Sequence, residues 1–186
     1  ADEVADELAE RIAAFGFNAV RIHHHDNEVY ARNSTGGSLL DPERMERLDY
    51  LLATLKKRGI YYTTDVYVSR RNIPASEIPG VGAIQTPQEY KALFYIDDRV
   101  YENWLRWAKE FLGHVNPYTG LALKDDPALI SLSLVNEANP AHVWSATPAS
   151  GRLYKEKFAQ WQKTHPGENF DRFLSELAVS RYEQMK

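Results

Sequence analysis

The feature that most constrains the fold is a pattern that occurs twice: an amphipathic helix, a glycine and then a short strand. The two copies consist of helix 3–16, Gly16 and strand 18–23, and of helix 43–58, Gly59 and strand 60–66. Asp41 and Pro42 suit the start of the second helix, as its N-cap and its first residue. Each glycine supplies the left-handed residue that commonly ends a helix. Helices that alternate with strands through such short joints favour parallel strands covered by helices.

The rest of the chain adds one more strand and several helices. Residues 68–96 contain three prolines and two glycines, which predict a long loop. Helices are predicted over 97–115, 152–163 and 170–186, and a third strand over 128–135. Three strands cannot close a barrel, and a complete (β/α)8 barrel takes about 250 residues. Residues 1–186 are therefore expected to form one α/β segment, either part of such a barrel or a small open sheet.

Polar side chains gather near the C-terminal ends of the predicted strands. Because side chains alternate across a strand, five of them fall on one side of the sheet: Arg21, His23, Asp65, Tyr67 and Glu137. In parallel α/β proteins this end of the strands carries the binding and catalytic residues. Arg21 and Asp65 are equally compatible with a structural ion pair, since buried charges are generally paired.

Glu137 is the strongest candidate for a catalytic residue. It follows the apolar run 128–135, which predicts a buried strand, and it stands directly after Asn136. A carboxylic acid in a poorly solvated place keeps its proton near neutral pH and can act as a general acid. Trp144 lies in the segment that follows and is the best aromatic candidate for stacking on a sugar ring. No second residue matches the other carboxylate that glycoside hydrolysis requires.

Composition excludes several classes of function. The net charge is −4 and the pI is about 5.9, which disfavours a nucleic-acid or anionic-membrane partner. No run of 18 apolar residues predicts a membrane span. The absence of cysteine excludes disulfides, thiolate metal sites and thiol nucleophiles. No cofactor is predicted, and the cellular compartment is left open, a secreted or periplasmic parent protein being compatible with the sequence.

Three segments together resemble clan A glycoside hydrolases, in particular cellulase-like enzymes of the family 5 type: 16–23, 59–65 and 134–137. The resemblance covers most of the chain, from about residue 8 to residue 140. It implies that the three strands are the second, third and fourth of an eight-stranded barrel. It also implies a retaining hydrolase that acts on O-glycosidic bonds of a polysaccharide or oligosaccharide.

The resemblance assigns roles to individual residues. Glu137 would be the general acid/base, Asn136 would contact the sugar 2-hydroxyl, and Arg21 would sit beneath the nucleophile. We expect further substrate contacts from His23, Tyr67 and Trp144. The nucleophile of this family is a Glu on the seventh strand, which has no matching position here. The isolated chain is therefore expected to be inactive.

Two alternatives remain open at this point. The cluster His23 to His25 contains a His-x-His pair, which favours a metal-dependent hydrolase barrel if later strand ends supply further ligands. A non-catalytic carbohydrate-binding or scaffold domain is the other alternative. In either reading, exposed strand edges predict self-association of the chain.

Overall fold

The computed structural model describes residues 2–32 and 37–186 and divides the chain into two compact units. The first unit comprises Ala1–Arg70 and Leu105–Asn136, and the second comprises Arg71–Trp104 and Glu137–Lys186. No described helix is both long enough and apolar enough to cross a membrane. The expectation that residues 1–186 act as one domain stays a prediction.

The first unit is built on a parallel sheet with the strand order β1-β2-β3. Its elements are α1 (Asp2–Ala14), β1 (Ala19–Ile22), α2 (His25–Glu28), α3 (Pro42–Lys57), β2 (Tyr61–Tyr67), a 3-10 turn (Leu123–Asp125) and β3 (Leu129–Val135). The α/β class and the three parallel strands are confirmed. Asp65 on β2 lies opposite Ser133 on β3, and this register governs the site described below.

The predicted start and stop signals of these helices are confirmed, although α1 and α3 end two residues and one residue earlier than predicted. The side chain of Asp41 accepts a hydrogen bond from the backbone N–H of Arg44 at 3.0 Å, with Pro42 as the first residue of α3. Gly16 and Gly59 follow α1 and α3 with φ of 80° and 71°, a conformation that costs glycine little. These joints lead each helix directly into the next strand.

One face of β1 packs on the helices as its alternation predicts. Val20 and Ile22 contact a buried cluster of Ala9, Leu55 and Ile60, which come from α1, α3 and the residue before β2. The opposite face of β1 is left for polar side chains. The period-two pattern therefore decides which side chains of β1 lie on the polar face of the sheet.

The prediction that β3 is buried was wrong. None of its residues is buried, and Ile130 and Leu134 are 55% and 37% exposed. Among the described residues β3 pairs only with β2, so it is an edge strand of this sheet. An apolar run indicates that a strand can be buried, but the strand is buried only where another element packs against it.

The second unit is helical, with a core of Ala92, Val143, Tyr154, Phe173 and Leu174. Its elements are α4 (Pro87–Ile96), the start of α5 (Asp98–Gly113), α6 (Pro140–Val143), α7 (Pro148–Trp161) and α8 (Phe170–Gln184). The helix α5 continues from the second unit into the first. Four apolar residues at helical spacing along α5 are buried: Val100, Trp104, Trp107 and Phe111.

Helix α4 falls within the segment predicted to be a loop, so that prediction was wrong for 87–96. The sequence does contain a signal for the start of this helix, namely Thr86 as its N-cap. The Thr86 side chain accepts a hydrogen bond from the backbone N–H of Glu89 at 3.2 Å. Pro87 then occupies the first helical position. Helix α7 begins earlier than predicted for a similar reason, since Thr147 and Ser150 form a capping box.

The loop after β2 is held by the completely buried carboxylate of Asp26. One of its oxygens accepts backbone N–H bonds from Val68, Ser69 and Arg70 at 2.8–2.9 Å, and the other accepts the Ser69 hydroxyl at 3.1 Å. Satisfying three successive backbone donors at once explains why an acidic residue follows the histidine run.

Replacing Asp26 by alanine should strongly destabilise the chain. The change leaves three buried N–H groups unsatisfied, and we expect a loss of about 3 kcal/mol in the free energy of unfolding. Urea denaturation followed by far-UV circular dichroism measures this loss. Asp125→Ala is the control, because this exposed carboxylate should change stability by no more than about 0.5 kcal/mol. Equal effects of the two substitutions would contradict the anchoring role of Asp26.

Candidate active site

A cluster of polar side chains surrounds Asp65 near the end of β2. The Asp65 carboxylate is completely buried. The Arg21 guanidinium on β1 donates three hydrogen bonds to it at 2.9, 3.2 and 3.3 Å, and Nδ1 of His23 lies 2.8 Å from its Oδ2. The predicted convergence of Arg21, His23 and Asp65 is therefore present in the first unit.

The surroundings of Asp65 lower its pKa. Burial by itself raises the pKa of this carboxyl, but hydrogen bonds from Arg21, His23 and Ser133, together with the Arg21 charge, outweigh the burial and bring the pKa below its usual value. Asp65 is therefore ionised at neutral pH. A carboxylate that is ionised, buried and fully engaged serves to orient its neighbours and is poorly placed to attack a substrate.

Arg21 also fixes the orientation of Asn136. Its Nη2 donates to Oδ1 of Asn136 at 3.0 Å, and the backbone N–H of Asn136 donates to the Tyr67 carbonyl at 2.9 Å. Because a guanidinium can only donate, the Asn136 oxygen must face Arg21. The amide NH₂ then points away from Arg21, as a hydrogen-bond donor.

Glu137 follows Asn136 directly and begins the second unit. Its backbone is left-handed, with φ of 50°, and its side chain is exposed. The next residues are anchored, because the Tyr95 hydroxyl donates to the Ala138 carbonyl and the Asn139 side chain caps α6 through the N–H of Ala141 at 2.9 Å. Glu137 thus projects from a turn that is held on its C-terminal side.

The carboxylate of Glu137 lines an open cleft of about 770 Å³ in the second unit. The cleft is lined by helix α4, by the turn that carries Glu137 and by helices α6 and α8. Its polar lining residues are Gln88, Lys91, Glu137, Asn139, His142 and Tyr182. Sequence reasoning missed Gln88, Lys91, His142 and Tyr182, because they lie on helices and belong to no motif.

Two aromatic residues predicted to contact substrate are engaged elsewhere. Tyr67 is completely buried, its hydroxyl donates to the Arg70 carbonyl at 2.7 Å, and the Arg70 guanidinium lies 5.8 Å from its ring. The prediction that Tyr67 binds a sugar was therefore wrong, since the packing leaves it no accessible surface. Trp144 is half-buried against Tyr154 and Phe170 and is not among the residues that line the Glu137 cleft.

The histidine run gives no support to a metal site. His25 is buried and stacks on Phe111 with ring centroids 4.8 Å apart, and burial lowers its pKa. His24 adopts a left-handed conformation ahead of the short helix α2. In 2–32 and 37–186, no three His, Asp or Glu side chains converge in a way that could hold a metal ion. The His23 side chain hydrogen-bonds to Asp65. The three histidines therefore form and stabilise the turn after β1.

Solved structures with a similar fold include endo-1,4-β-mannanases. The Rhizomucor miehei enzyme is 15% identical over 74% of this chain, with a TM-score of 0.55. An endo-β-1,4-mannanase from Thermotoga petrophila is 20% identical over 88% of this chain, with a TM-score of 0.56. The endo-1,4-β-D-mannanase of Thermotoga petrophila RKU-1, in a structure with maltose and glycerol, is 20% identical over 88%, with a TM-score of 0.55.

This likeness establishes the fold. The chain spans 40%, 37% and 49% of those three structures, and its three parallel strands with covering helices match part of a (β/α)8 barrel. The sequence resemblance to glycoside hydrolases is thus supported at the level of fold. No protein-family model and no curated protein sequence matches the chain.

Asp65→Asn should lower stability in a pH-dependent way. Because the pKa of Asp65 is lower in the folded chain, its stabilisation is present above the unfolded pKa of about 3.9 and is lost as pH falls through the folded pKa. The free energy of unfolding of the variant should therefore be about 2 kcal/mol below that of the wild type at pH 7. This difference between the two proteins should become smaller below about pH 4. Urea denaturation at a series of pH values tests this.

Asp125→Asn is the matched control for charge, since this exposed carboxylate forms its ion pair with the equally exposed Lys124, at 2.8 Å. It should follow the wild-type profile throughout. A gap between Asp65→Asn and wild type that stays constant down to pH 2 would contradict the lowered pKa of Asp65.

Proposed function

We propose that the chain is the part of a retaining glycoside hydrolase that supplies the general acid/base, Glu137. The observation that carries the proposal is the exposed side chain of Glu137, which projects from an anchored turn and lines the open cleft of the second unit. An exposed carboxyl in an open cleft can give a proton to the glycosidic oxygen of a bound saccharide. The barrel-like fold supports the same proposal.

Each residue has a separate task in this mechanism. Glu137 protonates the departing glycosidic oxygen and later removes a proton from the attacking water. Asn136 donates from its NH₂ group to a sugar hydroxyl next to the cleaved bond. Arg21, held by Asp65, keeps that amide in one orientation. His23 restrains the other side of Asp65 and so acts through it.

The proposed mechanism needs a second carboxylate about 5–5.5 Å from the first, to attack the anomeric carbon. Within the described part of the chain, Glu137 is the only carboxylate that lines the cleft. Asp65 is fully buried and engaged by Arg21 and His23. The nucleophile must therefore come from residues outside this chain, and we expect the chain by itself to bind saccharide without cleaving it.

The proteins of similar fold indicate which saccharides to test first. The three solved structures compared above are endo-1,4-β-mannanases, so β-1,4-linked manno-oligosaccharides are the first ligands to test. Cello-oligosaccharides are the natural comparison, because the two sugars differ in the orientation of a single hydroxyl. A preference between them would define the substrate class.

Glu137→Gln should abolish acid catalysis while keeping the shape of the side chain. In a protein that joins this chain to the remaining strands of such a barrel, we expect kcat on an unactivated oligosaccharide to fall about 10³-fold. An aryl glycoside with a good leaving group needs no acid, so azide should restore turnover by attacking the glycosyl-enzyme without a general base. Steady-state kinetics with and without azide measure both effects.

Glu156→Gln is the control for loss of an exposed carboxylate in the same unit, on α7 and away from the cleft. It should leave kcat unchanged. If Glu137→Gln also kept full activity, Glu137 would have no catalytic role. Saccharide binding that persists in the complete barrel without any turnover would instead favour the non-catalytic carbohydrate-binding alternative.

A further inference from the structure

We propose that Tyr182 is a ligand-binding residue of the Glu137 cleft, whose oxygen accepts a hydrogen bond from a saccharide hydroxyl and whose orientation is set by Tyr95. The inference rests on the proposed function, since it deepens the description of the same cleft. Three observations carry it: the direction of the hydrogen bonds, the burial of Tyr95 and the place of Tyr182 on the cleft wall.

The hydrogen bonds between the two tyrosines have only one consistent direction. The Tyr95 hydroxyl donates to the Ala138 carbonyl, which can only accept, so the single proton of Tyr95 is committed. The hydroxyls of Tyr95 and Tyr182 lie 2.9 Å apart. Tyr182 must therefore donate to Tyr95, and its own oxygen keeps its lone pairs for an acceptor role.

Tyr95 is suited to hold this arrangement because it cannot readily ionise or move. It is 2% exposed, and burial together with the hydrogen bond to Tyr182 raises its pKa well above the usual range. Its backbone carbonyl also accepts a hydrogen bond from the buried Arg181 guanidinium, at 3.3 Å. The donor to Ala138 is thus present at any physiological pH.

Tyr182 lies where a ligand of the cleft would reach it. It is 41% exposed and lines the same cleft as Glu137, while its ring meets the Tyr95 ring edge-on with centroids 6.2 Å apart. The residue before it, Arg181, pairs with Asp98 at 2.9 Å and fixes this part of α8. A rigid acceptor on the wall of an open cleft recognises a hydroxyl donor, the most abundant group of a saccharide.

The same bonds give Tyr95 a positioning role. Its hydroxyl holds the carbonyl of Ala138, directly after the left-handed residue Glu137. Loss of the Tyr95 hydroxyl should therefore have two effects. The Tyr182 hydroxyl would no longer be oriented by Tyr95, and the turn that carries the Glu137 carboxyl would lose its hydrogen bond at Ala138. Loss of the Tyr182 hydroxyl should affect ligand binding and leave the turn in place.

The test is saccharide binding by this chain, measured by ¹⁵N chemical-shift titration with β-1,4-mannotriose. We expect Tyr182→Phe to weaken binding roughly 3- to 10-fold, the effect of one hydrogen bond, with the amide resonances of Glu137 and Ala138 unchanged in the free protein. Tyr95→Phe should weaken binding and also shift those two resonances. Tyr101→Phe is the matched control, because its hydroxyl donates to the α8 carbonyl of Gln184 at 2.7 Å and takes no part in lining the cleft.

Each outcome separates this inference from the function on which it rests. If the wild-type chain binds mannotriose and Tyr182→Phe binds it equally tightly, the inference is wrong and the proposed function stands. If Tyr101→Phe weakens binding as much as Tyr182→Phe, the effect is general loosening of α8 and the inference is again wrong. If the wild-type chain shows no shifts with mannotriose or cellotriose, the proposed function fails and the ligand role of Tyr182 fails with it.

Discussion

The burial of one carboxylate, that of Asp65, determines how the candidate site is built. Placing an ionised group in the central strand with no solvent contact is costly unless hydrogen bonds and an opposite charge compensate it. The compensation comes from both neighbouring strands: Arg21 on β1 and Ser133, its register partner on β3. Because Arg21 also bonds to Asn136, the requirement to neutralise Asp65 extends to the residue beside the candidate acid. One buried charge therefore couples the sheet register to the orientation of the Asn136 amide.

The architecture of the first unit could be predicted because its signals are local. Each of these signals depends only on residues that are close in sequence: the glycine after each helix, the Asp41 cap and the alternation in β1. The structure contains the helix ends, the helix start and the strand that they predict. The burial of β3 could not be predicted in the same way, since an apolar strand is buried only if another element covers it. Helix α4 was missed for a different reason: the surrounding prolines and glycines outweighed a short capping signal at Thr86.

The candidate site was predictable to the extent that strand alternation determines it. Period two places Arg21, His23 and Asp65 together, and they do meet. The same rule misplaced Tyr67, whose ring packs beside the Arg70 guanidinium in the interior instead of reaching a ligand. Tyr182 could not be found at all, since it is an ordinary helical residue whose importance comes from two hydrogen bonds made in the folded unit. Long-range contacts of that kind leave no local pattern in a sequence.

The left-handed backbone conformation at Glu137 does not contribute to the stability of the fold. For a residue with a Cβ this conformation costs about 1–2 kcal/mol. The neighbours account for its persistence: Asn136 is held by the Tyr67 carbonyl and by Arg21, and Ala138 is held by Tyr95. Among the described residues Glu137 itself makes no hydrogen bond that would repay the strain, and its side chain is exposed. Strain maintained by anchored neighbours, with no return for the strained residue, is typical of groups positioned for a ligand. His24 and Asn72 share this conformation, so the backbone geometry supports the role proposed for Glu137 only together with its place on the cleft.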